Sequence, residues 1–146
     1  QGSLSFLKSD LAAKVGSSGR PVVLLSHCGF DTDWWTKEDW RDLYEAMRPY
    51  AVALFLYGHS GTGVLSWAPE GEPARWDCIN DGQAEKGFFL IRITDDRLRA
   101  VMRVKKGVTA TKLPDGSFRK DWSGEWEWKW PVDRPLRTVA APESRP

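Results

Sequence analysis

Residues 21–27, PVVLLSH, and residues 51–59, AVALFLYGH, decide the fold. Each is an apolar run without alternation, rich in Val, Leu or aromatic residues, and each ends in a histidine. A short run of that kind fits a strand buried on both faces. Between them lies TKEDWRDLYEAMR, residues 36–48. Thr36 stands where a helix cap is needed, and Glu38 and Asp39 fall in the first turn. Trp40, Leu43, Tyr44 and Met47 recur at i, i+3, i+4 and i+7, which makes one apolar helical face. Pro49 ends that helix. Strand, helix and strand in this order predict a βαβ unit with parallel strands and a right-handed crossover.

Upstream, residues 3–15 place Leu4, Leu7, Leu11 and Val15 on one helical face, and Gly16 follows. Downstream of residue 60 the pattern changes. Gly61–Pro69, Arg75–Asn80, Phe88–Thr94 and Leu98–Val104 read as short strands separated by turns. Asn80-Asp81-Gly82 reads as a turn. Residues 125–130, EWEWKW, alternate strictly and predict a strand with Trp126, Trp128 and Trp130 on one face. The segment from Pro131 onward holds four of the nine prolines and reads as an extended tail. The expectation is an α/β domain over residues 1–130, a mixed sheet with a βαβ unit followed by antiparallel strands, and a Pro-rich tail over 131–146.

Composition sets the outer limits. The chain has 146 residues, enough for one core, and a net charge of +1. Lys and Arg are interleaved with Asp and Glu, so no basic stripe for nucleic acid and no polybasic membrane patch stands out. No run reaches the roughly 18 apolar residues of a membrane span, and no signal peptide is visible. A soluble protein is expected, with an extracytoplasmic location as the working guess. Cys28 and Cys78 match no zinc or redox spacing and read as two free buried thiols. Nine tryptophans point to a broad core or an aromatic binding surface. Gln1 leads almost at once into helix-like sequence, which reads as a piece of a longer domain.

The chemistry rests on the only two histidines, His27 and His59. Each directly follows an apolar strand of the same βαβ unit. Neighbouring parallel strands lie about 4.8 Å apart. Ligands of open α/β sheets collect beyond the carboxyl ends of the strands. Both imidazoles are therefore expected on one rim, where they could share a transition metal. The bland alternative is that each ring caps its own strand end. Two ligands are also fewer than the three or more that catalytic metals usually take.

The stretch GRPVVLLSHCGFD, the helix, and then VALFLYGHSGTGV resembles the second half of calcineurin-like metallophosphoesterases. In that family, a strand ending in a metal-ligating His precedes a helix, a strand and a Gly-His-x-His signature. WDCINDG and GFFLIRITDDRLRAVMR resemble its later strands, so the likeness spans about residues 3–105. The resemblance implies half of a four-layer sandwich and hydrolysis of phosphate mono- or diesters by two divalent cations drawn from Mn, Fe, Zn and Mg. Such cations sit about 3.5–4 Å apart and clamp the attacking and leaving oxygens. It assigns His27 and His59 to one ion. The second His of the signature falls at position 61, where this chain has Gly61; Asp31 and Asp33 are the candidate substitutes. Ser60 borders the same loop. Trp34 and Trp35 could wall a pocket for an apolar or lipid-like part of a small phosphate-ester substrate, or simply pack the helix start.

The family's Asp-x-His, Gly-Asp and Asn-His elements do not occur here, so the resemblance implies that a preceding N-terminal half supplies them. Two other readings stay open: a non-catalytic module that binds carbohydrate through the Trp strand, and a pseudo-phosphoesterase short of one metal. A phosphate loop over residues 58–63 is discounted because strand-like VLSWAP follows it. A nucleophile elbow at Ser60 is discounted because Thr62 replaces its glycine.

Overall fold

The computed structural model describes residues 2–30, 34–82 and 86–136. The protein is mixed α/β, with two helices and mostly strands. Its elements are α1 (Gly2–Lys14), β1 (Pro21–Cys28), α2 (Lys37–Met47), β2 (Ala51–Gly58), β3 (Thr62–Trp67), β4 (Trp76–Asp81), β5 (Gly87–Ile93), β6 (Arg97–Lys105), β7 (Thr109–Lys112), β8 (Phe118–Asp121) and β9 (Trp126–Pro135). They fall into two compact units that divide at residue 82. The sequence reading runs one domain through residue 130 and does not anticipate that division.

The first unit carries a four-stranded sheet in the order β1-β2-β4-β3. β1 and β2 are parallel neighbours, as the βαβ pattern requires. β4 also runs parallel to β2, whereas β3 runs antiparallel to β4. The expectation of antiparallel strands after the βαβ unit therefore holds for β3 and for the later strands, while β4 departs from it by pairing parallel to β2. β2 is the most buried strand: Leu54, Phe55 and Tyr57 are each at most 2% exposed.

One face of this sheet carries the helices. Trp40, Leu43, Tyr44 and Met47 of α2 are buried with Leu24, Val52, Phe55, Trp76 and Cys78, and Leu11 joins them from α1. Leu4, Leu7 and Val15 complete the apolar side of α1. α2 starts in a full capping box. The Thr36 hydroxyl accepts from the Asp39 amide, and the Asp39 carboxylate accepts from the Thr36 amide. These bonds hold the Asp39 carboxyl below the usual aspartate range. At mid-helix the Tyr44 hydroxyl donates to the Ala74 carbonyl at 2.7 Å, and burial raises its pKa.

The second unit has a three-stranded antiparallel sheet, β5-β6-β9, and a β7-β8 hairpin. The hairpin was not foreseen: TATK and FRKD are short, polar and fully exposed, so no apolar period marks them. β9 corrects two expectations. It runs on through Pro135, so residues 131–135 belong to the sheet; 137–146 lie outside the described residues. Its alternation is also broken. Ala100 pairs with Val132 while Met102 pairs with Lys129, so Trp130 and Pro131 together face Val101. This is a β-bulge, and Trp130 takes the left-handed φ of 51° within it. Trp130 consequently stacks on Phe89, whereas Trp126 meets Phe88. Successive residues of a strand point to opposite faces, so the three tryptophans do not share one face.

Candidate metal centre

Both histidines sit where parallel strands end. β1 slips register against β2 between Leu25 and Cys28, and the extra residue falls at Ser26–His27. Bulges of this kind re-aim side chains at sheet rims. After β2 the chain turns within three residues. The Ser60 amide donates to the Gly58 carbonyl at 3.0 Å across His59, whose φ is +74°. Those two facts define the rare γ-turn with positive φ, a strained form. Non-glycine residues held this way concentrate at functional sites.

The result is convergence. His27 Nε2 and His59 Nδ1 are 3.1 Å apart, and the ring centroids are 5.0 Å apart at 71°. The contact admits two chemistries. In one, one nitrogen carries a proton and the other accepts it. In the other, both lone pairs point at a shared cation. Two nitrogens about 2.0–2.1 Å from one ion and 3.1 Å from each other subtend about 95–100° at it, within the range of common coordination geometries. The separation of the two nitrogens is thus within reach of a shared first-row metal as well as of a hydrogen bond.

The rim around the pair is built to hold the turn. Asn80, buried at 2% exposure, donates its side-chain amide to the Ser60 carbonyl. Gly82 packs so closely that a Cβ there would lie 2.8 Å from the backbone nitrogen and oxygen of Ser60. Asn80 and Asp81 are the last residues of β4 rather than a turn, and their strand end does border the His59 loop. An open depression beside the pair is lined by His27, Leu25, Leu56, Tyr57 and Asp81, among others.

The other expected site residues divide. The Trp34 ring lies 4.4 Å from His59 and 6.5 Å from His27, so it stands beside the imidazoles. Trp35 instead stacks on Trp40 at 4.7 Å, so it packs the start of α2. Gly61 has φ +66°, a conformation that glycine takes without strain, and it offers no side-chain donor. Ser60 contributes its backbone to the turn. Asp31 and Asp33 lie outside the described residues.

No family model matches this chain, and neither does any curated protein or solved structure. The site therefore has to be read from its own donors.

One donor was missed from the sequence. Cys28 is buried next to His27, and the donor atoms of His27, Cys28 and His59 all lie within 4.8 Å of one another. Both cysteines are free and buried, as expected from their spacing. Nothing in the residue spacing singles out Cys28, because successive residues of a regular strand point to opposite faces; the register slip lies at this same point of β1. Asp81, which the sequence reads as part of a turn that could border the site, lies at the end of β4 and lines the depression beside His27.

No helix among the described residues is long and apolar enough to cross a membrane.

Proposed function

We propose that this chain supplies the two-histidine side of a metal centre that hydrolyses phosphate esters, in half of a four-layer metallophosphoesterase sandwich. The observation that carries this reading is the 3.1 Å approach of His27 Nε2 to His59 Nδ1 at the ends of adjacent parallel strands. The order of motifs in the sequence supports the same reading. Divalent cations at such a centre, two of them in the complete protein, supply charge neutralisation at a phosphoryl group when bound.

The residues of this chain have separable roles in that reading. His27 and His59 hold one ion. The γ-turn at His59, tied down by Asn80, fixes one imidazole before the ion arrives, which lowers the ordering cost of binding. Trp34 stands beside the pair and offers a flat apolar wall to the leaving or ester group of a small or lipid-like substrate. Two imidazoles, even with the Cys28 thiol close by, fall short of the donors that two ions need, and in this reading the N-terminal half of the same domain supplies the rest.

The test uses two proteins. The chain alone, with Mn²⁺ or Zn²⁺, leaves a chromogenic phosphodiester intact. A longer product of the same gene that includes Asp-x-His, Gly-Asp and Asn-His elements hydrolyses it, and His27→Ala or His59→Ala lowers the rate at least a hundredfold. Rapid hydrolysis by the chain alone would remove the half-site, and full activity in both variants would remove the histidines.

A second reading rests on Gly61, which leaves the signature without its second imidazole. The longer protein then holds one ion per chain and lacks hydrolytic activity. Metal content per mole of protein separates the two readings.

A further inference from the structure

In the second unit, pairing places Phe88, Arg103 and Trp128 side by side across β5, β6 and β9. Residues directly opposite one another in a sheet share a face. Lys105 and Trp126 form the next rung of that face, and Arg92 and Arg99 close its other end. The opposite face carries the buried residues Leu98, Ala100 and Met102. The first face is open: Phe88 is 42% exposed, Leu90 48% and Trp128 55%.

The cations on this face are held over rings. The Arg103 guanidinium lies 4.5 Å from the Trp128 ring centroid and 5.6 Å from that of Trp126. Lys105 Nζ lies 5.4 Å from the Trp122 ring. Among the described residues, Arg92, Arg103 and Lys105 have no carboxylate at ion-pair distance, whereas Arg99, at 3.3 Å, shares the Asp133 carboxylate with Arg97 at 2.7 Å. Residues 83–135 hold twelve Lys and Arg against eight Asp and Glu, an excess hidden by the chain's total of +1.

We infer that this face binds single-stranded nucleic acid. Three features fit that occupant together. Rings exposed on a sheet face stack bases without regard to sequence. Residues two apart on a strand, such as Trp126 and Trp128, are about 6.8 Å apart, enough for bases on an unstacked strand. Cations interleaved with the rings meet the phosphates, and an arginine plane over a ring adds a second stacking surface. A neutral sugar would use the rings and leave three cations idle. A protein partner would need carboxylates against these cations and would have no use for the spacing of the rings.

Titrating the full chain with single-stranded oligothymidylate while following tryptophan fluorescence tests this. Quenching is expected at low salt, and log affinity should fall with log salt with a slope of about −2, from about 0.7 per phosphate met by three cations. Trp128→Ala should weaken binding about tenfold, Trp128→Phe should stay within about threefold of wild type, and Arg103→Gln should flatten the slope by about 0.7. The inference fails if duplex DNA binds as tightly as the single strand. It also fails if a neutral cello-oligosaccharide quenches and oligothymidylate does not. Binding of heparin as tightly as oligothymidylate, with Trp128→Ala without effect, would show a mere polyanion surface and equally defeat it.

Discussion

The core of the first unit and the open sheet face of the second use tryptophan differently, although Trp34 and Trp35 of the first unit are themselves 64% and 40% exposed. Trp40 and Trp76 in the first unit are 4% and 6% exposed and interlock with Phe55 and Tyr44. Trp122, Trp128 and Trp130 in the second are 40–55% exposed, and Trp128 lies under a cation. The same residue type therefore does different work in the two units. In the first, a helix layer covers one face of a mostly parallel sheet, so large rings fill volume. In the second, a small antiparallel sheet leaves one face open, as such sheets commonly do. Abundance of tryptophan alone could not distinguish the two.

Substitutions can break or sharpen that contrast. Phe55→Ala should cost about 3–5 kcal/mol in denaturant unfolding, because a fully buried ring leaves a cavity. Trp128→Ala should stay within about 0.5 kcal/mol, since the site is open; a cost as large as that of Phe55 would mean the face is packed. Between these lies the polar anchor of the His59 loop. Asn80→Ala removes the amide that meets the Ser60 carbonyl, and about 1–3 kcal/mol of stability should go with it. Thr36→Ala should cost about 1 kcal/mol by removing the cap of α2.

The smallest effect is a pH dependence. The folded-state pKa of Asp39 is depressed by its bonds to Thr36, so its contribution is present above the unfolded aspartate value and fades as pH falls through the folded one. Asp39→Asn should therefore flatten the acid limb of the stability profile and leave the alkaline side unchanged. An unchanged acid limb would mean the capping box does not persist in solution.

The first unit was largely legible in the sequence because its signals are strong and local. Two aperiodic apolar runs, a capped amphipathic helix between them and a histidine after each run fixed β1, α2, β2 and the rim where the rings meet. What the sequence hid depended on register. The extra residue at Ser26–His27 lies beside Cys28 in the donor cluster, and nothing in the order of residues announces it. The same holds for β9, where EWEWKW implies three rings on one face and the bulge at Trp130 turns one away. Pairing between distant strands sets both irregularities, and hydrophobic period does not encode it. The β7-β8 hairpin escaped for a simpler reason, having no buried side chain to create a pattern.

The measurement that bears most directly on the metal centre follows the imidazole nitrogens themselves. The chain has only His27 and His59, so ¹⁵N spectra of its imidazoles are unambiguous. Adding Zn²⁺ should shift His27 Nε2 and His59 Nδ1 together, along one binding curve, and His59→Ala should abolish the shift at His27. Independent curves for the two rings, or resonances that ignore even a large excess of the ion, would contradict a shared cation and leave a hydrogen-bonded pair of side chains at the edge of the sheet.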